Sequence, residues 1–175
     1  MTETSTDDRC LPPALADVAG VEFDYADGDG IDFEPYSAFE SAEETTGWIR
    51  DWTGDRTADG SAYRVFGQDG TGGLAALWLA RPGRGLSDQP VVFMGSEGAL
   101  AVVAGSLSDF LWLLADGVGP MEAVEFGSRD GRPDTRLTEI AERHARTPRR
   151  PAGEIIDGAR AEFPSFVQDF EALCR

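Results

Sequence analysis

The chain has no lysine: all fifteen basic residues among its 175 are arginine. Chemistry that needs a primary side-chain amine is therefore closed to it, which excludes a Walker-type phosphate lysine, a Schiff base and a Ser-Lys dyad. Histidine is reduced to His144, so any Ser-His-Asp set would have to be assembled around that one residue. Its arginine-flanked setting predicts a solvated surface histidine instead. The two cysteines, Cys10 and Cys174, lie near opposite termini without Cys-x-x-Cys spacing. Neither a thiol redox motif nor a zinc cluster follows, and a reducing cytoplasm is the expected setting. No window approaches the roughly eighteen apolar residues of a membrane span. The first eight residues, Met-Thr-Glu-Thr-Ser-Thr-Asp-Asp, are acidic where a signal peptide would be basic and apolar, so export by that route is not expected.

Acid is what the chain has in excess. The net charge is −17, and residues 1–60 carry sixteen acids against three arginines, while residues 61–175 carry sixteen against twelve. Such a field repels phosphate backbones and anionic lipid and attracts basic partners. Nucleic acid and membrane are thus excluded as expected partners. The bland account of the same excess is solubility. With 41% hydrophobic residues and this length, the chain can bury a core without disulfides.

Hydrophobic periodicity divides the chain into elements. A short helix is expected over Ala14–Val18, then a loop or edge strand from Val21 through the acidic glycine loop to Tyr36. Ser41-Ala-Glu-Glu44 matches a capping box and predicts a helix from about Ala42 to Thr53, with Trp48 and Trp52 packed inward. Tyr63–Phe66, Leu74–Ala80, Val91–Met94 and Leu100–Ala104 read as four strands in meander order. Ser106 caps the next helix, with Asp109 at the third position answering it, and Leu107, Phe110, Leu111 and Leu114 share one face. Gly117, Gly119 and Pro120 end that helix, and a loop follows through Asp130 to Pro133. Three helices complete the chain, around Leu137–Ala141, Ile155–Phe163 and Phe166–Leu173. The fold class is α+β: a central, mainly antiparallel sheet of about four to six strands flanked by helices, with a C-terminal helical extension.

Each motif with chemical promise has a structural counter-reading. Gly67-Gln-Asp-Gly-Thr-Gly-Gly73 lacks a phosphate lysine and precedes a strand, so it reads as a turn. Gly95-Ser-Glu-Gly98 is no nucleophile elbow, because Met94 stands where glycine is required. Asp24, Asp27, Asp29, Asp32 and Glu34 offer hard oxygen ligands, but placing Gly30 at the sixth position of an EF-hand loop puts Tyr25 and Tyr36 in its first and twelfth slots. Gly28-Asp-Gly-Ile-Asp32 echoes one turn of a calcium-binding nonapeptide repeat, and one copy cannot stack into a roll. No metal, no cofactor and no catalytic residue is assigned.

The segments Phe66-Gly-Gln-Asp-Gly-Thr-Gly-Gly73, Ala76-Leu-Trp78, Gln89-Pro-Val-Val-Phe-Met-Gly-Ser-Glu-Gly98, Val102-Val-Ala104 and Asp109-Phe-Leu-Trp-Leu-Leu114 together resemble the SUKH superfamily, in particular its bacterial Smi/Knr-like members. Phe33-Glu-Pro-Tyr36 and Trp48-Ile-Arg-Asp-Trp-Thr-Gly54 look like the same subgroup. The resemblance spans roughly residues 30–125 and rests on packing signatures; after Asp130 the chain leaves the pattern. It implies a SUKH-like α+β domain over 20–130, between an N-terminal segment, partly disordered or a short helix, over 1–19 and a helical extension over 131–175 packed on the same domain. It also implies a non-enzymatic role in binding another protein. Bacterial members of this kind are similar to immunity proteins that neutralise a cognate polymorphic toxin, often a nuclease, in the cytoplasm. An intracellular regulatory or scaffold module is the alternative, and an enzyme using carboxylates in a pocket is a third reading. The superfamily carries no partner residues across, so the candidates come from charge and aromatic content: Asp27, Asp29, Asp32 and Glu34 for a basic toxin domain, with Tyr36, Trp48 and Trp52 beside them.

Overall fold

In the computed structural model, residues 8–125 and 131–174 are described. The expectations for the first seven residues, and for the loop over Phe126–Asp130, lie outside them. Within them, five strands form one antiparallel sheet in the order β1-β2-β3-β4-β5: β1 Glu34–Pro35, β2 Tyr63–Gln68, β3 Leu74–Trp78, β4 Val91–Met94 and β5 Leu100–Ala104. The helices are α1 Pro13–Ala19, α2 Ala42–Thr53, α3 Leu107–Ala115, α4 Pro120–Glu125, α5 Thr135–His144, α6 Ala152–Glu162 and α7 Phe166–Glu171. None is long and apolar enough to cross a membrane.

Strands β4 and β5 contain no polar side chain, so alternation sends apolar groups to both faces of the sheet, and both must be covered. On one face Ala75, Leu77, Val91, Phe93 and Val103 pack against Phe110, Leu111 and Leu114 of α3, with Leu15 and Val18 of α1 and Leu137 and Ile140 of α5 closing behind. On the other, Val65, Leu74, Ala76, Val92, Met94 and Val102 meet Phe166 and Phe170 of α7 and the half-buried Trp48 and Trp52 of α2. Helix α6 serves both, giving Ile155 and Ile156 to the first core and Ala159 to the second. It packs along β5, the sheet edge opposite β1, and so shields a strand that would otherwise invite pairing.

Two register shifts tune this arrangement. Between Val65 and Gly67 the pairing with β3 slips by one residue, leaving Phe66 unpaired, while alternation keeps its side chain in the first core. Gly67 then admits the ring of Phe33: a Cβ there would stand 2.4 Å from Phe33 Cε2. Phe23, Phe33, Phe66 and Phe110 follow one another edge to face through the core.

Four expectations change. Helix α4 occupies part of what reads as a loop, with Pro120 at its first turn, where a missing N–H costs nothing. The chain before Pro12 is tied down from Arg9 onward, since Arg9 and Phe39 are joined by the Phe39 N–H to Arg9 carbonyl bond of 2.9 Å and by Arg9 Nε donating to the Phe39 carbonyl at 2.7 Å. His144 is half-buried, its Nε2 at 2.6 Å from Asp17 Oδ2 across α1 and α5, so it is a docking contact and not a solvated side chain. Asp109 does not answer the cap it was expected to complete. Ser106 Oγ accepts from the Asp109 N–H, but the Asp109 carboxylate accepts from Thr147 Oγ1 at 2.9 Å and Arg150 Nη2 at 2.6 Å.

Asp109 thereby anchors a strap. The segment joining α5 to α6 is held to α3 by Asp109, by Ser108 Oγ accepting from the Arg146 N–H at 2.9 Å, and by Trp112 Nε1 donating to the Thr147 carbonyl at 2.8 Å. Arg149 lies over the Trp112 ring and pairs with Asp116. Asp109 is only 7% exposed, so a cavity and unpaired donors replace it when it is truncated. Asp109→Ala is expected to lower unfolding stability by about 2 kcal/mol, and Glu162→Ala, at the more exposed pair with Arg81, by less than about 1 kcal/mol. Urea denaturation of the two variants checks the ranking.

Candidate functional site

Carboxylates and one phenol converge where β1 meets the start of α2. Arg9, Ala19, Glu34, Pro35, Tyr36, Ser37, Ala38, Glu40 and Glu44 line a groove of about 540 Å³. Its floor is fixed by short-range chemistry. Tyr36 N–H donates to the Phe66 carbonyl at 2.8 Å and Glu40 N–H to the Val65 carbonyl at 2.9 Å, which carries the chain along β2 beyond the two residues of β1. Ser41 then starts α2: its Oγ accepts from the Glu44 N–H while Glu44 reaches back to the Ser41 N–H, a full capping box. The box therefore sets Glu44 on the groove wall.

The side chains in the groove are linked in pairs. Tyr36 OH donates to Gln68 Oε1 at 3.0 Å, and Gln68 Nε2 donates to Glu34 Oε2 at 3.2 Å. Thr45 Oγ1 donates to Glu40 Oε2 at 2.7 Å. Burial, and then the Glu40, Glu34 and Glu44 carboxylates, push the Tyr36 phenol up to about 12. Burial also raises Glu40, partly offset by the Thr45 hydroxyl, while the Ser41 hydroxyl and N–H hold Glu44 below the ordinary carboxylate range. Among the described residues Arg9 is the one cation in the lining, and its guanidinium is already engaged by the Phe39 carbonyl.

The expected site residues are divided by the fold. Glu34 and Tyr36 enter the groove. Trp48 and Trp52 continue the α2 face that begins at Glu44, at four-residue spacing. Their rings stack with centroids 6.2 Å apart. Trp52 is fixed, its Nε1 donating to the Gly95 carbonyl at 2.9 Å and its ring set edgewise to Phe170. Asp27 and Asp29 lie on a separate exposed turn, where Asp27 has a φ of 53° and Asp29 is 3.5 Å from Arg132 Nη2. That turn borders a different recess, lined in part by Asp29, Gly117 and Arg132. Asp32 is structural: its Oδ1 accepts from the Gly70 N–H at 2.9 Å and its own N–H donates to Glu122 Oε1 at 2.8 Å.

Glu40, Glu44 and Arg9 are the groove residues that sequence reasoning does not single out as a site. Glu44 is visible in the sequence as a cap, not as a surface. Glu40 carries no motif, and it reaches the groove only because Phe39 beside it is fully buried.

Among the described residues no group of three or more histidine, cysteine or acidic side chains is placed to hold a metal ion. No family model matches the chain, and neither the curated proteins nor the solved structures contain a match.

The raised phenols have a consequence in alkali. Tyr36 and Tyr63, the latter raised by burial alone, both titrate at about 12 instead of 10.0. A group with its folded value raised contributes stability that is present below the unfolded value and lost as pH rises toward the folded one. Stability should therefore fall between about pH 10 and pH 12. Tyr36→Phe should shed part of that slope and lose about 1 kcal/mol near neutrality with the Gln68 bond. Denaturant midpoints measured across that range, with Tyr63→Phe alongside, check both effects.

Proposed function

We propose that this chain is a non-enzymatic protein-binding domain of SUKH type. In this reading it acts in the cytoplasm as an immunity protein that covers the active or substrate-binding face of a cognate toxin. The observation that carries the proposal is the groove between β1 and α2, where Glu34, Glu40 and Glu44 surround Tyr36 and, among the described residues, Arg9 is the single lining cation. A concave acidic wall beside a half-buried aromatic pair has the chemistry to receive arginine or lysine side chains from a basic partner, such as a nuclease groove. The acidic turn of Asp27 and Asp29 extends the same field without belonging to the same recess. The SUKH resemblance supports the scaffold role, and the charge placement supports the sign of the partner.

A carboxylate-based enzyme is the second reading, and one observation favours it. Glu40 and Glu44 share a groove and are shifted in opposite directions, as general acid–base pairs are. Glu44 is, however, committed to the helix cap and Glu40 to Thr45, so their shifts have a structural cause already. Binding is the reading we adopt.

The test is purification of the chain with the product of a neighbouring toxin-like reading frame, followed by affinity measurements against ionic strength. Affinity should fall steeply with salt. Glu34→Gln and Glu40→Gln should each weaken binding by about two- to fivefold, mainly through the association rate. Asp27→Asn with Asp29→Asn measures the contribution of the separate turn. Binding indifferent to salt and to the groove variants would reject the groove as the contact surface.

A further inference from the structure

Glu122 is a carboxyl for which the binding reading has no use, and its surroundings are unusual. It lies in the first turn of α4, only 5% exposed, and its Oε1 accepts from the Asp32 N–H at 2.8 Å across ninety residues of sequence. Its other oxygen, Oε2, closes no hydrogen bond among the described residues. Glycine at position 119 is what makes room for it: a Cβ there would stand 2.4 Å from Glu122 Oε2 and 2.5 Å from Ile31 Cγ2. Asp32 in turn accepts from the Gly70 N–H at 2.9 Å. One buried carboxyl thus connects α4, the segment that leads into β1, and the turn between β2 and β3.

An ionised carboxylate is poorly served at such a place. An unpartnered oxygen costs far more when it shares a full negative charge than when it belongs to a neutral acid. Among the described residues, the charged groups around it do not compensate. Asp32 is itself a carboxylate, and its charge disfavours the ionised form of Glu122. Strands β4 and β5, against which α4 packs, carry no titratable side chain. On α6, Arg160 directs its Nη2 to the Ala123 carbonyl at 3.2 Å. Beyond Gly117, Asp29 and Arg132 are paired with each other, and Glu125, at the far end of α4, is exposed.

We propose that Glu122 is a proton-dependent pin: neutral, it holds Asp32 and the segment leading into β1 against α4, and ionised, it repels the Asp32 carboxylate and loosens that segment. Burial first, and the Asp32 carboxylate in addition, push Glu122 above its ordinary 4.5, with the N–H groups of Asp32, Glu122 and Gly119 easing part of the shift. Stability from the pin is fully present at acid pH, below the unfolded value, and is lost as pH rises through the raised folded value. Glu34, which lines the groove, stands two residues beyond Asp32. The proposal itself needs no partner and stands apart from the binding reading.

The experiment is carbon-detected titration of the Glu122 carboxyl in the intact protein, with hydrogen exchange of the Asp32 and Gly70 amides over the same pH range. Glu122 should titrate above the ordinary carboxylate range, and protection of the Asp32 amide, corrected for intrinsic exchange, should fall at least about threefold as Glu122 ionises. Glu122→Gln keeps an acceptor for the Asp32 N–H and should make that protection independent of pH. Asp32→Asn keeps the acceptor for Gly70 and should lower the Glu122 midpoint. An ordinary Glu122 midpoint in the wild type, which requires no variant to fold, would overturn the pin. The same pH-dependent loss of protection in Glu122→Gln would overturn it equally.

Discussion

A sheet whose strands β4 and β5 are apolar on both sides is the constraint from which the rest of this architecture follows. Antiparallel sheets often keep one solvated face, but Val91–Met94 and Leu100–Ala104 contain no residue suited to water. Both faces must therefore find cover within the chain. One receives α3, backed by α1 and α5, and the other receives the aromatic residues of α2 and α7. Helix α6 belongs to both cores and runs along the β5 edge, so the C-terminal helices are part of the core and not an appendage to it. The strap centred on Asp109 follows from the same requirement, since α6 can reach the β5 edge only if the segment before it is held against α3.

The parts of this fold legible in the sequence are those written over short distances. The capping box of Ser41 and Glu44, the apolar runs of the four longer strands and the one-sided face of α3 are local patterns, and local physics is enough to place them. What escapes is set by partners far along the chain. Asp109 looks like the second half of a cap, but Thr147 and Arg150 compete for its carboxylate. His144 looks solvated until α1 brings Asp17 to it. Strand β1 is two residues long, too short for any alternation to register, and the pattern around it is dominated by acids whose role depends on what lies opposite. The candidate site was legible in part for the same reason. Glu34 and Tyr36 stand out by composition, while Glu40 joins them only through the path that the chain takes beside β2.

The acidic excess of the first third is likewise not one feature. Asp32 is committed to a backbone amide of the neighbouring turn, Asp17 to α5, and Asp55 to the turn after α2, where it accepts from the N–H and hydroxyl of Thr57. These carboxylates hold the chain's own turns and helices and would be needed in a protein with no partner at all. Net charge alone therefore overstates the surface available for recognition. The part of the excess relevant to binding is the part that the fold does not already consume.

That distinction can be pressed within the groove itself. Glu34 sits on the short edge strand, and a charge there has a sufficient explanation in discouraging edge-to-edge pairing. Glu44 has its explanation in the cap of α2. Glu40 has neither. It lies on no strand, its carboxyl is partly withdrawn from water and raised by that burial, and the bond from Thr45 offsets only part of the cost. A half-buried acid that the scaffold engages only through the Thr45 hydroxyl, in a concave wall beside Tyr36, is, in the proposed binding reading, one that an incoming guanidinium or ammonium would stabilise. Of the acids in the groove, Glu40 is therefore the one whose position the local fold explains least, and the one on which the proposed binding reading leans most.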